Sequence, residues 1–152
     1  MLKAALLTLA LELSGGGLKG RAEKIIDEVV VVADKADVSV FYPELKDKPE
    51  EAKEKLARLL VAWSYWESTW DFKAIGDNGR SCGIMQVATS RAESCSSLTA
   101  SAHAGLASGL QKLEFLVKRC GGLKPALGAY ASGKCGGVPK LVERRCKVSG
   151  GC

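Results

Sequence analysis

Residues 62–70 read AWSYWESTW: three tryptophans, Trp63, Trp66 and Trp70, crowd around one carboxylate, Glu67. The preceding chain predicts the helix that carries them. Pro49 suits a first helical position, and Glu50, Glu51 and Glu54 lie near the positive end of the helix dipole. Apolar residues then recur at Ala52, Leu56, Leu59, Leu60, Trp63, Trp66 and Trp70, which is helical spacing. At about 100° per residue the stripe centres near Leu56 and Trp63. Glu67 is four residues past Trp63 and seven past Leu60, so it lies on the stripe and not on the polar face. An ionised carboxylate there costs free energy unless it is paired or protonated, and burial raises its pKa. One reading is a general acid kept protonated near neutral pH. The plainer one is a boundary glutamate whose tip reaches water or a buried arginine, and the helix alone favours this second reading.

Working outward, the chain reads as mostly helix. A first helix is expected over about 2–13, with Leu2, Leu6, Leu9 and Leu13 on one face and Gly15, Gly16 and Gly17 ending it. The same stretch, MLKAALLTLALELSGG, has the outline of a weak signal peptide. Glu12 interrupts its apolar run and no small-x-small cleavage site follows, so we read it as structural. A second helix is expected over 20–36, although Val29–Val32 is also a β-branched run that suits a strand. Phe41 to Pro49 reads as loop, and the Glu67 helix spans 49–68. Turn residues Gly76, Asp77, Asn78 and Gly79 predict a loop or small hairpin over 72–82. Helices are expected near 83–93, 100–119, 124–131 and 138–147. No internal repeat or linker divides the 152 residues, so one domain is expected over 1–152.

Cysteine and charge limit the function classes. Cys82, Cys95, Cys120, Cys135, Cys146 and Cys152 all lie in the second half, none in a CxxC pair, and His103 is the sole histidine. A zinc site is not expected, nor any metal or organic cofactor. Six widely spaced cysteines favour disulfides and an oxidising place of work, with the pairing left open. No apolar run approaches the roughly 18 residues needed to cross a bilayer, so no transmembrane segment is expected. From residue 100 onward nine Lys and Arg face only Glu114 and Glu143, about +7 in that segment. Such a basic face attracts anionic polymers, or is simply solvated. No aromatic residue interleaves with Arg144, Arg145 and Lys147, so stacking on single-stranded nucleic acid is not indicated.

Asp77 lies ten residues past Glu67 in a glycine-flanked turn, IGDNG. A carboxyl on an apolar helix face and another in a polar turn would differ in pKa, the pattern that separates acid from base roles in glycoside cleavage. Around them, Glu67-Ser68, then GDNGRSCGIMQV at 76–87 and LGAYASG at 127–133 resemble the lysozyme-like superfamily of soluble lytic transglycosylases and goose-type lysozymes. The signature is Glu-Ser at a helix end, a Gly-rich turn, Gly-(Leu/Ile/Phe)-Met-Gln, and a later Ala-Tyr-Asn-Ala-Gly segment. Gly83, Ile84, Met85, Gln86, Tyr130 and Gly133 match it. Ala131 stands where the family has Asn, and Ala88 where it has a second Asp.

The resemblance implies a mainly α, lysozyme-like domain with a small loop or hairpin beside a cleft between the Glu67 helix and the 76–86 turn. It implies that Glu67 is general acid and later base, cleaving the β-1,4 bond between N-acetylmuramic acid and N-acetylglucosamine of peptidoglycan. Asp77 would position water in a muramidase. In a lytic transglycosylase the sugar's own C6 hydroxyl attacks instead. Ser68, Met85, Gln86 and Tyr130 would border the sugar subsites, and Trp66 is the best candidate for stacking on a sugar. The expected setting is a monomer acting outside the cytoplasm, in periplasm or extracellular space, for instance a phage lysin released by a separate membrane pore. Two other readings remain open. One is a lysozyme-like module that binds glycan without cutting it; the other is a basic helical nucleic-acid-binding protein, which predicts free thiols.

Overall fold

A computed structural model describes residues 1–91 and 93–152. It is mainly helical with a small antiparallel sheet, as the sequence pattern predicts. The helices are α1 (Leu2–Ser14), α2 (Lys19–Lys35), α3 (Val38–Phe41), α4 (Pro49–Ser68), α5 (Cys95–Leu98), α6 (Ala102–Cys120), α7 (Leu123–Ser132) and α8 (Pro139–Ser149). The strands are β1 (Ile75–Gly76), β2 (Ser81–Cys82) and β3 (Val87–Ala88), in the order β1-β2-β3.

Helix α4 is the central element. It starts with Pro49 at its first turn, beside Glu50 and Glu51, and buries Leu56, Leu59, Leu60, Val61 and Trp63. It packs against α1, α2, α3 and α8. Helix α1 buries Leu6, Leu9 and Ala10 and stops at Gly15, whose left-handed φ of 59° lets the amides of Gly15 and Gly16 reach the Leu11 carbonyl. The valine run 29–32 is helical within α2. Val29 and Val32 join Ile25 and Ile26 in the core, and that packing outweighs the small helix penalty of β-branched residues. Helix α6 is capped by Ser101, whose hydroxyl accepts from the Ala104 amide at 3.0 Å, and ends at Gly121 in the left-handed region.

Two expectations need correction. The span Phe41 to Pro49 is not all loop, because α3 ends at Phe41 and a 3₁₀ turn spans Pro43–Leu45. The helix expected near 83–93 is not formed: 83–86 is a turn leading into β3, and 89–91 and Glu93 are not helical, while residue 92 lies outside the described residues. Gly83 and Gln86 take φ of 81° and 47°. The amides of Gly83, Gln86 and Thr89 bond to the carbonyls of Ala74, Gly83 and Arg80, so the hairpin takes the backbone groups a helix would use.

The cysteines form Cys82–Cys95, Cys120–Cys135 and Cys146–Cys152, each joining sequence neighbours. They fasten β2 to the start of α5, the end of α6 to the segment after α7, and the end of α8 to the last residue. Among the described residues no helix is long and apolar enough to cross a membrane.

Candidate active-site cleft

The last turn of α4 places Glu67 one helical turn beyond the buried Trp63, at the floor of a cleft of about 770 Å³. Asp77 and Gln86 from the hairpin, Lys112, Phe115 and Arg119 from α6, Tyr130 and Ala131 from α7, and Arg145 from α8 also line it. Glu67, Asp77, Gln86, Tyr130 and Trp66 are thereby brought to one cavity.

The Glu67 side chain is 20% exposed, and its Oε1 lies 3.1 Å from Arg145 Nη1. The guanidinium of Arg145 stands 4.8 Å over the Trp63 ring and 5.1 Å over that of Trp66. These two rings meet edge to face at 6.3 Å, and Trp63 meets Tyr130 in the same way at 6.2 Å. The tryptophans therefore seat a cation beside the carboxylate, besides drying its surroundings. Trp70 takes no part. Thr69 and Trp70 adopt φ of 52° and 58°, which folds Trp70 back so that its Nε1 donates to the Val61 carbonyl at 2.8 Å. The ring packs on Tyr65 and is buried.

Burial raises the pKa of Glu67, while Arg145 and, less strongly, Lys112 pull it down; burial wins and the net direction is upward. Lys112 is held below the usual lysine range, again mainly by burial, against the opposing pull of Glu67 and Glu93. Its Nζ lies 4.7 Å over the Tyr130 ring. The phenol of Tyr130 is pushed up by burial and by the charges of Glu67 and Glu93. It donates to the Met85 carbonyl at 2.8 Å. Among the described residues, Trp63 Nε1 and Arg145 Nε are buried without a hydrogen-bond partner.

Asp77 lies on the exposed side of the cleft at φ 50°, followed by Asn78 at 56° and Gly79 at 85°. Asx residues tolerate this left-handed region better than others. The Ser81 hydroxyl donates to Asp77 Oδ2 at 2.8 Å and orients the carboxylate. Gln86 pins the hairpin: its Nε2 donates to the carbonyls of Ala74 at 3.2 Å and Gly83 at 3.0 Å. A Cβ on Gly76 would press on Gln86 Oε1, so the amide end of Gln86 would have to shift to admit a larger residue there. Ser81 and Ala88 are register partners in β2 and β3 and both border the cleft.

Ser68 and Met85 do not border the cleft. Ser68 Oγ reaches the carbonyls of Ile84 at 2.8 Å and Ser64 at 3.1 Å, which ties the end of α4 to the hairpin turn. The Met85 side chain is 1% exposed and packs on Gly109 of α6. Both residues brace the site from behind.

Sequence reasoning missed Arg145, Lys112, Phe115 and Arg119. Arg145 stood in the C-terminal basic cluster, 78 residues from Glu67, and no local pattern joins the two. The α6 group did leave a signal: Lys112, Phe115, Leu116 and Arg119 follow the i, i+3, i+4, i+7 spacing of one helix face. No group of three or more His, Cys, Asp or Glu among the described residues is arranged to hold a metal ion, and His103 instead pairs with Glu28 at 2.9 Å. No family model matches the chain, and no curated protein or solved structure does so either.

Proposed function

We propose that this protein cleaves the β-1,4 bond between N-acetylmuramic acid and N-acetylglucosamine in peptidoglycan, with Glu67 as the proton donor. The observation that carries the proposal is a mostly buried carboxyl, its pKa raised by that burial, in a cleft it shares with Asp77, Gln86 and Tyr130. A raised pKa keeps a fraction of the carboxyl protonated where an ordinary glutamate would be ionised. Glu67 gives its proton to the glycosidic oxygen as the bond to the departing sugar breaks. The developing positive charge on the remaining ring is then met by the ionised Glu67. In an inverting hydrolysis, Asp77 positions the water on the face of the sugar opposite Glu67 and takes its proton as the water attacks. In transglycosylation Glu67 takes the proton of the sugar's C6 hydroxyl, which closes an anhydro ring. The second family aspartate is Ala88, on the cleft wall, so Asp77 alone would hold the water.

Three disulfides fit work in an oxidising compartment outside the cytoplasm, on the wall itself. The ion pair with Arg145 favours a second reading, a glycan-binding module in which Glu67 is only a fixed polar contact.

The test is mass spectrometry of soluble fragments released from purified peptidoglycan, with Glu67→Gln as control. Loss of the acid should lower the rate by about 10²–10⁴-fold in a variant that keeps its circular dichroism. Reducing ends would mark a muramidase and anhydro ends a transglycosylase. Fragment release equal to wild type from a folded Glu67→Gln would sink the proposal, and strand binding without release by either protein would select the binding module.

A further inference from the structure

Two cations on the cleft wall form no direct ion pair among the described residues, although Glu67 and Glu93 act on Lys112 through space. Arg119 is exposed and has no ion pair or hydrogen bond among the described residues. Lys112 is half-buried, lies over the Tyr130 ring and has no carboxylate within ion-pair distance among the described residues. Burying an ammonium on a wall without a carboxylate in contact costs free energy, and a ligand anion would offset it. The two residues stand seven apart on α6, two helical turns, so their Cα atoms are about 10 Å apart along the axis. Phe115 lies between them on the same face, 62% exposed, which is unusual for a phenylalanine.

We infer that Lys112 and Arg119 bind carboxylates on the glycan, and that the cleft selects an acidic strand over a neutral one. This deepens the proposed function and rests on it. In an extended β-1,4 strand each sugar is flipped relative to the last, so every second sugar presents the same side. If every second sugar carries a carboxylate, the charges recur on one side once per disaccharide, a length comparable with the two-turn spacing of Lys112 and Arg119. Muramic acid supplies such a group, either as its own lactyl carboxylate or through the acids of an attached peptide. Phe115 offers its ring to the apolar face of the intervening sugar. A polymer of N-acetylglucosamine has the same backbone and lacks the carboxylates.

The experiment compares kcat/KM on muropeptide-bearing strands with kcat/KM on N-acetylglucosamine oligomers of equal length, for wild type, Lys112→Gln and Arg119→Gln. Each substitution should lower the acidic-to-neutral ratio by about tenfold, mainly through KM, as expected for a lost charge-assisted hydrogen bond. Arg119 is exposed, so its variant keeps the fold even if Lys112→Gln does not. Strands whose carboxylates have been capped as amides should lose the preference in wild type. Strands stripped of peptide but retaining the lactyl acid tell which carboxylate is read: retained preference assigns the lactyl group, lost preference the peptide. An unchanged ratio in a folded Arg119→Gln, or an equal wild-type rate on capped and uncapped strands, overturns the inference while leaving the glycosidase intact. If wild type cuts no strand, the proposed function fails, and this inference falls with it.

Discussion

At the scale of single residues, the decisive contest is over the proton on Glu67. Burial raises its pKa, and Arg145 and Lys112 oppose the rise without cancelling it. Arg145 is therefore a positioning and tuning residue. Replacing it by glutamine removes the nearer cation, so Glu67 should hold its proton to still higher pH. The alkaline limb of the kcat/KM profile is expected to move upward in Arg145→Gln, and an unmoved limb would mean that another group sets it. Stability follows the same sign. Because the folded pKa lies above the ordinary glutamate value, the Glu67 contribution is complete below the unfolded pKa and is lost as pH rises through the folded one. Urea unfolding at paired pH values should thus show wild type losing stability relative to Glu67→Gln on going from acid to neutral. A constant difference would contradict the raised pKa.

At the scale of elements, the hairpin from β1 to β3 is held by close approach to α6. A Cβ on Gly109 would stand 2.5 Å from the Met85 Cβ. That atom is fixed to the turn backbone, whose Met85 carbonyl also receives the Tyr130 hydroxyl. Alanine in place of Gly109 would gain up to about 1 kcal/mol of helix propensity. The forced displacement costs about 1–3 kcal/mol, so crowding should win. Gly109→Ala is expected to unfold at lower denaturant concentration, and its cleavage rate should fall because the turn carries Gln86. A stabilised, fully active variant would show that the turn yields freely. Gly83 is under the same constraint: its φ is 81° and a Cβ would meet the Leu98 carbonyl oxygen at 2.5 Å.

At the scale of the whole molecule, the three disulfides fasten the second half within itself, and the C-terminal segment holds α8 to α4. Gly151 packs on Leu59, its carbonyl accepts from the Tyr42 hydroxyl, and Arg58 Nε donates to the Ser149 carbonyl at 2.9 Å. These contacts fix the end of α8, the helix that carries Arg145. Each bridge is worth about 2–4 kcal/mol, against a total stability of about 5–15 kcal/mol for a domain of this kind. Full reduction is expected to lower Tm steeply, as measured by calorimetry with and without a phosphine reductant and checked by thiol count. An unchanged Tm in fully reduced protein would mean that the helical core stands without the bridges.

The sequence by itself determined the longer helices, because hydrophobic period, proline starts and glycine stops are local signals: α1, α2, α4 and α6 each fall within two residues of expectation, whereas the short α3 and α5 were not foreseen. It also brought out Glu67, since one carboxylate on an apolar stripe is visible without coordinates. The segment 83–91 was misread because Ile84, Met85 and Val87 look equally apolar in a helix or a buried turn. The choice was made by hydrogen bonds to Ala74 and Arg80 across the hairpin, beyond the reach of a helical turn. Only tertiary structure decided what surrounds Glu67. Arg145 arrives from α8 and settles between Trp63 and Trp66, while α6 turns Lys112, Phe115 and Arg119 toward the same cavity. A pKa depends on distances of a few ångströms between residues far apart in sequence, so the carboxylate could be located from the chain alone, but not the balance of burial and cations that sets its proton.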